Sequence, residues 1–273
     1  MIFWKIFAPF CLMIFYPGSS TGNNLQQAGK QVIAIDSFPQ PKNGKTYVVA
    51  HRGAHIGIPE NSLPAFQKAI DLGCDFVEID TRMTKDGQIV SVHNSTIDQY
   101  VVGYKGKVSN YTLAELKAMS IGEKTGSEWK NTTIPTFEEI LQLCKGKIGI
   151  YLDLKEPLIK ELLPIIRKYR MERDIIWYIS AGRIEEIKLL QSLCKECIPM
   201  PDPGPGKNIA GVCKQVYPLV LATDMGNLSE SFVKTAHEYG AKVIVDEKTG
   251  TPEEWEQILK WGTDGIQTDN PEA

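Results

Sequence analysis

Glu78 and Asp80 stand two residues apart in a run of strand-forming residues, and histidines stand at 51, 55 and 93 on either side of them. Side chains two apart on a strand point the same way, so the two carboxylates share a face while Val77 and Ile79 face the other. Carboxylates held this close repel unless a cation or a shared proton sits between them. Hard oxygen donors suit Mg2+ or Ca2+. The run 148–155 repeats the pattern, with Asp153 and Lys155 on one face. Asp153 can complete a three-carboxylate metal site, and Lys155 can meet a phosphate oxygen as a point charge. A salt bridge inside the fold is the structural alternative for that pair. Arg52 offers a planar fork for phosphate. His51 and His93 are candidates for general acid and base, since imidazole titrates near neutral pH. His55 follows Gly53-Ala54 on a loop, and His237 lies in a helical pattern as a surface residue.

These residues need strands to aim them. Apolar runs of strand length fall at 47–50, 76–83, 89–93, 148–154, 175–179, 198–200, 219–223, 243–245 and 265–268. Helical spacing of apolar residues falls at 63–72, 137–143, 158–169, 184–193, 231–239 and 252–260. Thr136 with Glu138-Glu139, and Thr251-Pro252-Glu253-Glu254, are helix-start signals. Alternating units of this kind predict a parallel sheet wrapped by helices, and about eight of them predict a closed (β/α)8 TIM barrel. Active sites in such barrels lie at the carboxyl ends of the strands. Only Thr84-Lys85-Asp86-Gly87-Gln88 separates the second and third runs. A parallel crossover needs a dozen residues or more, so these runs form an antiparallel hairpin turning at Asp86-Gly87. The expected α/β barrel is therefore distorted near its start. An insertion at 98–133, with one helical piece at 113–119, follows His93 and is placed to cap the site.

The 273 residues suit one barrel domain, expected at 45–273. A net charge of -3 excludes the strongly basic face that nucleic acid demands. Residues 1–20 have the form of a signal peptide, with Lys5 in an otherwise apolar start and small residues from Gly18. Residues 21–44 read as a polar tether. The expected location is secreted or periplasmic, with no stable membrane span after cleavage. Removal of Cys11 would leave five cysteines of six, an odd number that argues against a full disulfide framework. Cys194-Lys195-Glu196-Cys197 lacks enough nearby ligands for zinc. It reads as a helix-end cysteine and a strand cysteine with at most one disulfide between them.

The ordered set His51-Arg52-Gly53, Pro59-Glu60-Asn61-Ser62, Glu78-Ile79-Asp80, Thr84-Lys85-Asp86-Gly87 and Val92-His93 resembles the glycerophosphodiester phosphodiesterase family. Asp264-Gly265-Ile266-Gln267-Thr268-Asp269-Asn270-Pro271 is similar to that family's closing motif, so the likeness spans about 46–272. The resemblance implies a divalent metal, Ca2+ or Mg2+, on Glu78, Asp80 and Asp153. It implies His51 and His93 as the acid–base pair, with Arg52 and Lys155 on the phosphate. It also implies attack by the glycerol 2-hydroxyl to give a cyclic phosphate that water opens. Three positions depart from the family pattern. Asn94 stands where Asp is common after the second histidine, and Asp153 where Glu is common. Asp246-Glu247 replaces a usual Trp-Thr, removing an aromatic wall and adding acid.

The expected activity is metal-dependent hydrolysis of a small-molecule glycerophosphodiester to an alcohol and glycerol phosphate, a step in lipid metabolism. One rival is phospholipase-type cleavage of intact lipid headgroups. A second is a non-catalytic barrel that binds phosphate ligands. Glycoside hydrolysis also uses carboxylate pairs on barrels, but it leaves Arg52, Lys155 and the two histidines without a role. The sequence does not set the headgroup or the oligomeric state.

Overall fold

The structure is a computed structural model that describes residues 38–247 and 249–273. The signal-peptide reading of residues 1–20 and most of the tether lie outside the described residues. Among the described residues nine strands run in chain order: β1 (Tyr47–Ala50), β2 (Phe76–Met83), β3 (Ile89–Ser91), β4 (Gly149–Asp153), β5 (Ile175–Ser180), β6 (Ile198–Asp202), β7 (Val220–Asp224), β8 (Lys242–Asp246) and β9 (Gly265–Thr268). Each falls on a predicted run. Eight α-helices accompany them among the described residues: α1 (Leu63–Asp71), α2 (Leu113–Lys117), α3 (Phe137–Cys144), α4 (Ile159–Tyr169), α5 (Ile184–Leu193), α6 (Ile209–Val216), α7 (Glu230–Glu238) and α8 (Pro252–Lys260).

The parallel strands lie in the order β6-β5-β4-β2-β1-β9-β8-β7. Strands β6 and β7 then lie side by side, so the sheet is a nearly closed barrel. Why no ladder joins them follows from composition. Pro199 and Pro201 stand two apart in β6, so their ring nitrogens face the same side, and neither can donate. The β5–β6 register runs unbroken from Ile176↔Ile198 to Ser180↔Asp202. The missing donors therefore face β7.

As expected, β3 pairs antiparallel with β2, with Met83↔Ile89 nearest the turn. Gly87 takes φ +77 there, a conformation that costs a residue without Cβ little. Val77 and Ile79 pack outward with Ile140, Leu141, Leu162 and Trp177. Inward residues Tyr47, Phe76, Tyr151, Ile176, Met200 and Ile244 fill the barrel. Phe38, from the end of the predicted tether, plugs its base: the ring lies 5.3 Å from Tyr47 and 6.2 Å from Phe76. Lys42 fastens the same stretch, its ammonium donating to the carbonyls of Cys74 and Lys147 at 2.7 Å.

Ser62 caps α1, and capping boxes start α2 (Thr112, Glu115) and α3 (Thr136, Glu139). The helix absent from the sequence reading is α6. It buries Ile209, Val212, Cys213 and Val216, a helical spacing, but follows a Pro-Gly-Pro-Gly stretch and has no side-chain cap. The insertion has a small core of its own, where Ile97, Val101, Leu116, Met119 and Ile121 pack on Val90 and Val92. Cys194 and Cys197 form a disulfide, and Cys74, Cys144 and Cys213 are free and buried. His237 is exposed, as expected of a surface residue, and its Nε2 lies 2.8 Å from Asp264 Oδ2. No helix among the described residues is long and apolar enough to cross a membrane.

Candidate active site

Parallel pairing places Asp80 directly beside Asp153, and Glu78 beside Tyr151, on the inward face of β2 and β4. Ligand oxygens of Glu78, Asp80 and Asp153 all lie within 4.8 Å of one another. Asp80 and Glu78 are almost wholly buried. Lys155, just past β4, bridges two of the acids, with Nζ 3.0 Å from Asp80 Oδ1 and 2.5 Å from Asp153 Oδ2. Burial pushes the Glu78 carboxyl well above the usual carboxylate range, and the neighbouring Asp80 and Asp153 push it further. Burial also raises Asp153, with Lys155 pulling it back. For Lys155, burial opposes the charge, but Asp80 and Asp153 together outweigh it and hold the ammonium protonated above its ordinary value.

The three acids are thus short of positive charge. Lys155 supplies one cation. The nearest guanidinium atom, Arg52 Nε, is 3.8 Å from Asp80 Oδ2, and that arginine pairs with Glu60 at 3.0 Å. Asp80 Oδ1 meets Lys155 only as an ion pair and accepts no well-formed hydrogen bond. A buried set of three hard oxygen ligands with a spare lone pair fits a divalent cation such as Ca2+ or Mg2+. Asn61 steadies the set. Its Nδ2 donates to Asp80 Oδ2 at 2.7 Å, and its Oδ1 accepts from Ser91 at 2.6 Å.

The β1–α1 loop brings His51 and Arg52 to the same end. The His51 amide donates to Thr268 on β9 at 3.0 Å, and the Arg52 amide donates to Glu78 Oε2 at 2.8 Å. Arg52 takes a left-handed backbone, φ 53, and so does Asn61, φ 51. Such conformations cost a non-glycine residue on the order of 1–3 kcal/mol and need surrounding bonds to hold them. Here the bond from the Asn61 amide to the Arg52 carbonyl, 2.9 Å, joins the two. Gly53 is required at the exit: its φ is +84, and a Cβ there would meet Ala65 at 2.8 Å.

His51 and His93 each have Nδ1 occupied. His51 Nδ1 lies 2.7 Å from Asp269 Oδ1, and His93 Nδ1 lies 2.9 Å from Asn94 Oδ1. Both partners are acceptors, so each Nδ1 carries the hydrogen and each Nε2 is left for other work. The bond with His51 lowers the Asp269 carboxyl below its ordinary range. His55 turns its Nδ1 to the His51 carbonyl, 2.9 Å, and belongs to the loop.

Two cavities flank these groups. One of about 400 Å³ is lined by Arg52, Glu60, His93, Asn94 and, from the insertion, Tyr100 and Lys124. The other, about 290 Å³, lies by His51, Asp246, Glu247 and Asp269. The insertion therefore walls the His93 side, as its place in the chain suggests. Trp129 pins it to the β1–α1 loop by donating to the Gly57 carbonyl at 2.8 Å. Asp246 accepts from Gln267 at 3.0 Å, and Glu247 accepts from Trp255 and Thr268. Asp269, Asn61 and Glu60 are parts of the site to which the sequence reading assigned no role.

Comparison with known proteins gives the chain its family. The model of the glycerophosphoryl diester phosphodiesterase family matches residues 51–185. A glycerophosphodiester phosphodiesterase of Caldanaerobacter subterraneus is 31% identical over 84% of this chain and 96% of its own length. Among solved structures, an Oleispira antarctica phosphodiesterase in complex with the product sn-glycerol-3-phosphate superposes with TM-score 0.74, at 22% identity over 82% of this chain and 93% of that one. A glycerophosphodiester phosphodiesterase from Agrobacterium tumefaciens gives TM-score 0.73 at 23% identity, over 83% and 97%. By the extent and identity of the first of these relatives, this chain belongs to the glycerophosphoryl diester phosphodiesterase family.

Proposed function

We propose that the protein is a phosphodiesterase that hydrolyses glycerophosphodiesters to an alcohol and glycerol phosphate. The observation that carries this reading is the convergence at one barrel mouth of three carboxylates, Lys155 and Arg52 with two histidines whose Nε2 atoms are free. Glu78, Asp80 and Asp153 would hold a divalent cation, which when bound supplies charge neutralisation and polarises the phosphoryl group. Arg52 and Lys155 bind the non-bridging phosphate oxygens. One histidine removes the proton from the glycerol 2-hydroxyl as its oxygen attacks phosphorus. The other protonates the departing alcohol oxygen as its bond to phosphorus breaks. Water then opens the cyclic phosphate with the two roles exchanged. The cavities on the two histidine sides give the two substituents of the diester separate places.

The test is alcohol release from glycerophosphocholine and glycerophosphoethanolamine with and without EDTA. Activity should vanish in EDTA and return with added Ca2+ or Mg2+; full activity in metal-free buffer would sink the metal reading. His51→Ala and His93→Ala should each cost about 10²–10⁴ in rate. Binding of glycerol phosphate with no turnover of any diester would favour the non-catalytic reading, and faster turnover of intact phospholipid would favour the phospholipase one. The reading includes export to an oxidising compartment. The Cys194–Cys197 bridge supports it, since disulfides persist in such compartments.

A further inference from the structure

Arg82 lies on β2, two residues beyond Asp80, and its side chain is only 12% exposed. It reaches neither the carboxylates nor either cavity's lining. Its guanidinium instead closes on the backbone of the segment that carries His93. Nε donates to the Val92 carbonyl at 3.2 Å and the His93 carbonyl at 3.1 Å, and Nη2 donates to the His93 carbonyl at 2.5 Å. Nη1 turns the other way, to Glu156 Oε1 at 3.3 Å. Glu156 follows Lys155, and its other oxygen accepts from the Met83 amide at 3.3 Å.

These contacts coincide with a break in the sheet. Strand β3 ends at Ser91, so beyond it the ladder no longer sets the path of the chain. The Val92 amide still reaches the Asp80 carbonyl at 3.1 Å, but the Val92 and His93 carbonyls accept from the Arg82 side chain. A planar fork can take two such carbonyls and fix their direction at once, where a single ammonium cannot. With the backbone held, the His93 ring has two torsions left, and the Asn94 contact sets one face of it. The same guanidinium ties this segment to the end of β4, where Asp153 and Lys155 stand.

We infer that Arg82 is a positioning residue that sets His93 against the phosphate site, using Glu156, just past β4, as its anchor. The inference rests on the acid–base role given to His93 above. A displacement of a reacting group by about 1 Å costs on the order of 10²-fold in rate, so a lost fork should appear in kcat. Substrate is held by other groups, so KM should stay nearly constant.

The experiment is a double-mutant cycle on the full chain with metal present, using glycerophosphocholine and, for sensitivity in slow variants, a nitrophenyl phosphodiester. In the wild-type background, Arg82→Met should lower kcat about 10- to 100-fold with KM within about twofold. Arg82→Lys keeps one charged donor and should recover part of the loss. In the His93→Ala background, Arg82→Met should cost less than about twofold, because the group it positions is gone. A purely structural arginine would cost the same in both backgrounds, and that result would overturn the inference, as would wild-type kcat in Arg82→Met. If Arg82→Met does not fold, Arg82→Lys carries the same comparison across the two backgrounds. The two readings fail separately. Wild-type rates in His93→Ala remove the acid–base role and this inference with it, whereas a slow His93→Ala beside an unaffected Arg82→Met removes this inference alone.

Discussion

His51 and His93 each give one ring nitrogen to an acceptor, and the acceptors differ in charge. Asp269 is a carboxylate, whereas Asn94 is a neutral amide. A carboxylate behind an imidazole fixes its tautomer and stabilises the protonated ring. Asp269→Asn can present its NH2 to Nδ1 and so favour the wrong tautomer. The expected outcome is a kcat loss of about 10- to 100-fold, milder than for a buried triad because Asp269 is 63% exposed. Steady-state rates on glycerophosphocholine check it, and a rate within twofold of wild type would mean the pair is incidental. At this scale the sequence was legible where one strand carried the pattern. Glu78 and Asp80 share a face by alternation alone. Asp269 sits 218 residues from His51, and nothing local in either segment says they touch. Only the β1–β9 pairing brings them together, Ala50↔Thr268 being the last register step before both.

Between residue and whole lie the elements that hold the site in place, the β2–β3 hairpin first among them. Asp86 at its turn accepts from Thr84 at 2.6 Å and from the Leu113 amide at 2.9 Å, so one carboxylate joins the hairpin to the start of α2. The Thr84 bond, followed by that from Leu113, holds the Asp86 carboxyl below its ordinary value. A depressed folded value contributes stability above the unfolded value of about 3.9, lost as pH falls through the folded one. Asp86→Asn should therefore lower Tm near neutral pH, with the gap closing below about pH 4; thermal melts across that range check it. The junction of α5 and β6 carries the disulfide, whose cysteines are only 3 apart. Closing so short a loop removes little chain entropy, so Cys194→Ser with Cys197→Ser should cost about 2 kcal/mol, at the low end for disulfides, measured by denaturant unfolding. The hairpin was readable because five residues cannot make a crossover. Helix α6 had its apolar spacing in plain view, but no capping residue marked its start after Pro203-Gly204-Pro205-Gly206.

For the molecule as a whole, the buried acids set a conflict that folding alone leaves unresolved. Three carboxylates meet in the barrel mouth against one bridging ammonium. A divalent cation that binds the folded state and not the unfolded chain stabilises it by mass action. Added Ca2+ or Mg2+ should raise Tm in the wild type, by an amount that grows with the metal concentration. Asp80→Asn should abolish the rise. A wild-type melt indifferent to metal would mean that Lys155 alone satisfies the cluster. The alternation of strands and helices announced the barrel, because its local periods are strong. Its partial closure was harder to see. Pro199 and Pro201 were in the sequence, but which side their nitrogens face depends on which neighbour β6 adopts.

The pairing of β1 with β9 has a consequence for how the protein comes into being. As the chain emerges, β1 can find β2 early, but its other edge stays unpaired until residues 265–268 arrive. Such long-range parallel closure is slow and leaves a strand edge open to wrong partners meanwhile. The histidine at the end of β1 receives its carboxylate from the residue just after β9. The first-made part of the barrel is therefore completed by nearly the last, and a chain stopped short of Asp269 would lack both its closing strand and the partner of His51.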